Sequence, residues 1–241
     1  METIYLVMLI SVIGPVIGSF IGVMRKPSER FMYAMLAFAG GTMLAISFLE
    51  LIPESIHQSS ILYCILGILI GSGVMYVLDK LIPHIHPELC AQEHGCNLKK
   101  TSVFLLLGIA LHNLPEGIAI GIGSITDINL TLTIALAIAI HNIPEGICTS
   151  APYYYCSKRR LKSFLLSSMT AIPLLIGFLI VHFLFVGISA NILGVITAAT
   201  AGLMVYISAD ELIPSSCHVK DHSAIFSLIA GVIMVVLLGA I

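Results

Sequence analysis

Eight stretches of about 20 mostly apolar residues, each long enough to cross a bilayer core, follow one another along this 241-residue chain. They read at about 4–24, 31–52, 61–82, 101–123, 131–151, 163–185, 191–212 and 223–241, and are called spans 1 to 8 below. Hydrocarbon offers no water to unpaired backbone N–H and C=O groups, so each such stretch has to close its hydrogen bonds internally as a helix. The residue content agrees: 58% of the chain is hydrophobic and only 10% charged, with a mean hydropathy of +1.06, beyond the range of water-soluble domains. The expected fold is all-α and integral to the membrane, one transmembrane domain over residues 1–241 with a cytoplasmic loop at 83–100.

Basic residues give the orientation, because short loops rich in Lys and Arg stay cytoplasmic. Arg25, Lys26 and Arg30 follow span 1, and Lys80, Lys99 and Lys100 flank the loop after span 3. Lys158, Arg159, Arg160 and Lys162 follow span 5, and Lys220 follows span 7, which accounts for all 11 Lys and Arg residues. The loops after spans 2, 4 and 6 carry none, so both termini are expected outside. The start, METIYLVMLI, lacks a basic n-region, and span 1 is expected to remain rather than be removed as a signal peptide. Cys64 and Cys148 fall in spans and Cys90, Cys96, Cys156 and Cys217 in cytoplasmic loops, where thiols stay reduced, so no disulfide framework is expected. No GxxxxGK[ST] motif occurs, so there is no sign of nucleotide-driven work, and a net charge of -2 gives no ground for a nucleic-acid partner.

Two repeats are embedded in the apolar background. HNLPEG (112–117) recurs as HNIPEG (141–146), and GTMLAISFLELIPES (41–55) aligns with GLMVYISADELIPSS (202–216). Spans 2 and 7 run in opposite directions under the derived topology, as do spans 4 and 5. The pattern is that of an inverted repeat, here a 3+2+3 arrangement, and in secondary transporters such symmetry with Pro-interrupted helices marks a site near the bilayer midplane. His112 and His141 lie at about that depth in spans 4 and 5.

The motif residues are chemically expensive in lipid. At about 100° per residue, Glu116 falls at about 40° from His112, between His112 and Asn113 at about 100°; His141, Asn142 and Glu145 repeat the arrangement. Pro115 and Pro144 each remove an N–H and free a carbonyl, which a membrane tolerates only where the backbone is buried or lines a cavity, so a kinked helix pair around a polar cavity is expected. No span interior offers a Lys or Arg to Glu50, Glu116, Glu145, Asp210 or Glu211. Each carboxylate must be protonated or hold a cation. Imidazole with carboxylate suits Zn(II), and also Fe(II), Mn(II), Co(II) or Cd(II), whereas the motifs contain no Cys or Met of the kind that selects Cu(I). Interhelical hydrogen bonding alone accounts poorly for a duplicated ionisable set.

Met43, Ser47, Glu50 and Glu54 share one helical face at i, i+4, i+7 and i+11, and Met204, Ser208 and Glu211 repeat it. These are expected to line a pathway, with Glu50 nearer the outer mouth and Glu211 nearer the inner. The loop PHIHPELCAQEHGC (83–96) holds His84, His86, Cys90, His94 and Cys96. Its spacing matches no closed zinc module, so a cytosolic metal relay and a plain solvated loop both stand. His57, His182, His218 and His222 read as interfacial histidines. GPVIGSFIG in span 1 and Gly67 with Gly71 in span 3 read as small-residue seams for close helix packing.

With eight spans, outside termini, a His-containing loop between spans 3 and 4, two HN-x-PEG motifs and DELIP in span 7, the chain resembles the ZIP (Zrt/Irt-like protein) family of divalent metal transporters, in its bacterial GufA-like branch. The resemblance implies a binuclear centre moving zinc and related ions toward the cytosol, in the bacterial inner membrane, with no organic cofactor and with a homodimer as the assembly. It implies that His112, Glu116 and Glu145 hold one ion, that His141 contributes, and that Asn113, Asn142 and the bridging glutamates hold the second. Members of the branch often carry a glutamate just before the span 6 proline; this chain has Ile172 before Pro173. One tight zinc per protomer is therefore expected, with a further ion for Ile172→Glu. Two other classes compete with transport. An intramembrane zinc enzyme lacks the HExxH motif, and a metal-sensing receptor built on the 83–96 loop would depend on that loop rather than on His141.

Overall fold

The computed structural model describes residues 2–24, 28–81, 113–185, 187–216 and 222–240, and all regular structure among them is helical. Span 1 is α1 (Glu2–Met24). Span 2 is α2 (Glu29–Ala45), a π-helical turn (Ile46–Leu51) and α3 (Ile52–Gln58). Span 3 is α4 (Ile61–Leu81), span 4 is described as α5 over 113–126, and span 5 is α6 (Ile128–Ser157). Span 6 is divided into α7 (Arg160–Ser168) and α8 (Ala171–Leu184). Span 7 is α9 (Ala190–Ile207), a second π turn (Ser208–Leu212) and α10 (Ile213–Ser216), and span 8 is α11 (Ser223–Leu238). Among the described residues, six helical segments are long and apolar enough to cross a membrane.

Local chemistry sets the boundaries. The Asp127 carboxylate accepts from the N–H groups of Asn129 and Leu130 at 2.7 and 3.0 Å and starts α6; Lys158, at φ 56°, closes the helix by donating its N–H to the Tyr154 carbonyl. α6 carries Pro144 within one unbroken helix. Pro173 acts differently. Its ring excludes the carbonyl four residues back, and the chain tightens there: Thr170 N–H donates to Ser167 O at 3.1 Å and Ile172 N–H to Met169 O at 3.0 Å, separating α7 from α8.

The two π turns occupy equivalent places in the 41–55 and 202–216 repeat. Ile52 N–H donates to Ser47 O and Ile213 N–H to Ser208 O, five residues back instead of four. Pro53 and Pro214 follow at once, and the wider turn moves the carbonyls of Leu49 and Asp210 clear of their rings. The extra residue changes which side chains share a face. The buried stripes are Met43, Ser47, Leu51, Ser55 and Met204, Ser208, Leu212, Ser216, in steps of four. Glu50 and Glu211, expected on those stripes, are half-buried beside them.

Glycine seams pair the spans. A Cβ on Gly14 or Gly18 of α1 would run into the carbonyls of Ala139 and Ile143 in α6, and one on Gly71 of α4 into that of Ala199 in α9. Gly117 of α5 meets the Leu174 carbonyl of α8, and Gly41 of α2 meets that of Leu228 in α11. Such contacts bring backbones together where lipid gives no hydrophobic drive. In each pair the contact positions rise together, as from Gly14 with Ala139 to Gly18 with Ile143, or from Gly117 with Leu174 to Gly121 with Val181. The partners are therefore parallel: span 1 with 5, 3 with 7, 4 with 6 and 2 with 8. Odd pairs with odd and even with even, as a chain that reverses at every span requires. Exchanging spans 1, 2, 3 and 4 with 6, 7, 8 and 5 maps this set of pairs onto itself, the relation of a 3+2+3 repeat.

Candidate metal centre

Side chains from α5 and α6 meet inside the bundle. Glu116, His141 and Glu145 are all buried, and one potential ligand atom from each lies within 4.8 Å of the others. His141 Nδ1 is 3.0 Å from the Ala137 carbonyl, which can only accept, so Nδ1 carries the ring proton. Nε2 then presents its lone pair 2.8 Å from Glu116 Oε1. Two acceptors at that distance need a proton or a cation between them. Fixing one ring nitrogen on a carbonyl is how a metal-ligating histidine is oriented.

Each asparagine is held by an acceptor. Asn113 Nδ2 donates to the Thr170 carbonyl at 2.6 Å, and Asn142 Nδ2 donates to Glu116 Oε2 at 3.0 Å. Both partners are acceptors, so each amide nitrogen is fixed and each amide oxygen turns away from it. Among the described residues, Asn113 Oδ1, Asn142 Oδ1 and both carboxylate oxygens of Glu145 are buried without a hydrogen-bond partner. All four are acceptors. A buried carboxylate without compensation costs about 3 kcal/mol or more in a membrane, and no Lys or Arg occurs between residues 101 and 157. Glu116 and Glu145 each bring a carboxylate oxygen within 4.8 Å of the other. Buried acceptors without donors suit a cation, and imidazole with carboxylates suits zinc.

A family model described as ZIP Zinc transporter matches residues 83–239. The chain is 36% identical over 217 residues to zinc transporter ZupT of Enterobacter sp. (strain 638), covering 86% of this chain and 84% of that one. The ZupT proteins of Salmonella paratyphi A and Salmonella newport (strain SL254) match with the same identity and coverage. This chain belongs to the ZIP zinc transporter family. The matched residues cover both HN-x-PEG motifs and the second copy of the longer repeat.

Within this ZIP chain, four of the six expected metal residues meet, Glu116, His141, Asn142 and Glu145, while Asn113 is tied to the Thr170 carbonyl of span 6. His112, the sixth, lies outside the described residues, as do His84, His86, Cys90, His94 and Cys96 of the loop. Met43 and Met204 are wholly buried in one apolar cluster with Ile134 and Ile138 of α6. The Ser47 and Ser208 hydroxyls each donate at 2.8 Å to the carbonyl four residues back, Met43 and Met204 respectively. The two repeat copies thus press equivalent groups into the same core. Ile172 is 44% exposed, with Ala171 beside it buried. The position before Pro173 lies on the surface of the bundle, which removes the basis for expecting a further ion with Ile172→Glu.

Two features escaped the sequence reading. One is the Thr170 carbonyl, at the N-cap of α8 beside the break in span 6, which accepts from Asn113. The other is a hydroxyl knot one turn past Glu145: Ser19 Oγ donates to Ser167 Oγ at 2.7 Å, and Thr149 Oγ1 lies 2.6 Å from Ser167 Oγ and donates to the Glu145 carbonyl at 2.9 Å. It ties spans 1, 5 and 6 together beside the centre. The only sequence signal was Thr149 four residues after Glu145, on the same helical face.

Proposed function

We propose that this chain is a secondary transporter that carries Zn(II) through a site made by Glu116, His141 and Glu145, with Asn113 and Asn142 beside them and His112 as a further ligand. One observation carries the reading: four buried acceptor oxygens of the motif residues have no donor, while His141 Nε2 faces Glu116 at 2.8 Å. Zinc bound there takes the place of the proton between them and neutralises the carboxylates, because ligand histidine must be neutral and ligand carboxylate ionised. Inverted repeats suit movement of one helix group against another around the site. The protein belongs in the bacterial inner membrane, with movement toward the cytosol and with Fe(II), Mn(II), Co(II) and Cd(II) as further candidates for the same donor set. The pathway reading extends to Glu50 and Glu211 at the π turns, and a homodimer is the assembly we infer. The reading of loop 83–100 as a cytosolic relay predicts that its deletion slows uptake without abolishing it.

The test is radioactive zinc uptake into proteoliposomes, comparing the native chain with a Glu116→Ala, Glu145→Ala variant whose unfolding temperature in detergent is unchanged. Saturable uptake in the native protein, absent from the variant, is the expected outcome. Equal uptake by both would remove the α5 and α6 site from the transport path.

A further inference from the structure

We propose that the start of α7 is a binding site for one anionic phospholipid of the cytoplasmic leaflet. A cavity of about 580 Å³ lies against this segment and is lined, among the described residues, by Arg159, Arg160, Leu161, Lys162, Leu165 and Leu166. That volume is within the roughly 300–1,000 Å³ of small-ligand pockets. Its lining surface is almost wholly apolar, from three leucines and the aliphatic stems of three basic residues, so an apolar groove lies beside three cations, a match for the two halves of a lipid.

The cations have no internal use in view. No Asp or Glu occurs between residues 146 and 209, and among the described residues Arg159, Arg160 and Lys162 meet no carboxylate. Arg160 is instead set in place by an aromatic neighbour. Its Nε donates to the Tyr154 hydroxyl at 2.9 Å, and its guanidinium sits 5.5 Å from the centre of that ring. This orients the guanidinium while its terminal nitrogens stay available for a planar, bidentate contact of the kind Arg makes with phosphate. Leu161 and Leu165 follow at i and i+4, 70% and 52% exposed, and form a row leading from the cations into the membrane. The positive-inside rule puts this end of the span in the cytoplasmic headgroup layer, where basic pockets beside spans take anionic headgroups. A soluble anion would use the cations and leave the leucines unused, so the lipid is the occupant that matches both halves.

The chain contains no Trp, so Leu165→Trp supplies a single indole inside the groove and Phe226→Trp a single control indole on the exposed face of α11. Each protein goes into vesicles containing phosphatidylcholine and phosphatidylglycerol, one of the two carrying brominated chains that quench the indole. Phosphatidylglycerol is expected to be preferred at Leu165→Trp and not at Phe226→Trp. Adding Arg159→Gln, Arg160→Gln and Lys162→Gln is expected to remove the preference, by about fivefold per base. Equal quenching by the two lipids at Leu165→Trp overturns the proposal, and so does an equal preference at both reporters, which would be bulk enrichment. Relief of the quenching by inorganic phosphate also overturns it, in favour of a soluble anion site. The two-reporter comparison needs no charge substitution, so it decides the matter even if the triple variant does not fold.

Discussion

At the scale of single residues the centre is decided by donors and acceptors. His141 is locked by the Ala137 carbonyl and Asn142 by Glu116, while Asn113 is held by a carbonyl on another span. Asn113→Ala removes both that tether and one buried, unpartnered oxygen. Loss of such a supporting contact commonly costs about 10- to 100-fold in metal affinity, and a fall of that order in zinc titration of the purified protein is expected; unchanged affinity would exclude Asn113 from the centre. His141 and Glu116 were legible because ionisable residues repeat at one spacing inside lipid-length segments. Thr170 was not, because it acts through its backbone carbonyl, and side-chain identity does not tell which carbonyl meets another span.

At the scale of elements, close approach of backbones separates glycines that matter from those that do not. A Cβ on Gly18 would meet the Ile143 carbonyl, whereas one on Gly73 meets nothing within 4 Å. Gly18→Leu is expected to destabilise the α1 and α6 pair by about 1–3 kcal/mol or more, read as a lower unfolding temperature in detergent. Gly73→Ala is expected to be neutral or to stabilise by up to about 1 kcal/mol. Equal effects would mean that the seam does not hold the pair. The π turns belong to this scale as well. Pro53 and Pro214 were visible in the repeat, but a regular period of 3.6 put Glu50 and Glu211 on the same stripe as the methionines. Local widening of the helix moved that stripe to Leu51 and Leu212. With Pro214→Ala the turn can relax toward α-helical register and rotate Glu211 by about 100°. Uptake is then expected to fall while zinc stoichiometry holds, and unchanged uptake would remove Glu211 from the pathway.

At the scale of the whole molecule the four parallel pairs define the inside and outside ends together. Single cysteines at Ser60 and Asp127, in a background lacking the native thiols, are expected to react with an impermeant reagent on intact cells. One at Ser157 is expected to react only after permeabilisation; the reverse pattern would invert the molecule. The sequence alone determined that the chain is an all-α membrane protein, which way its basic loops face, and that two HN-x-PEG motifs put ionisable residues inside membrane-length apolar segments. Those properties follow from hydropathy, charge and local spacing, each contained in a short window. Only the tertiary structure decided which spans pair, that Asn113 reaches the broken turn of span 6, and that Ile172 lies on the surface while Glu116 meets His141. In lipid every apolar face is equally soluble, so a helix's partner is chosen by the fit of glycine seams between segments far apart in the chain, and no local window contains that fit.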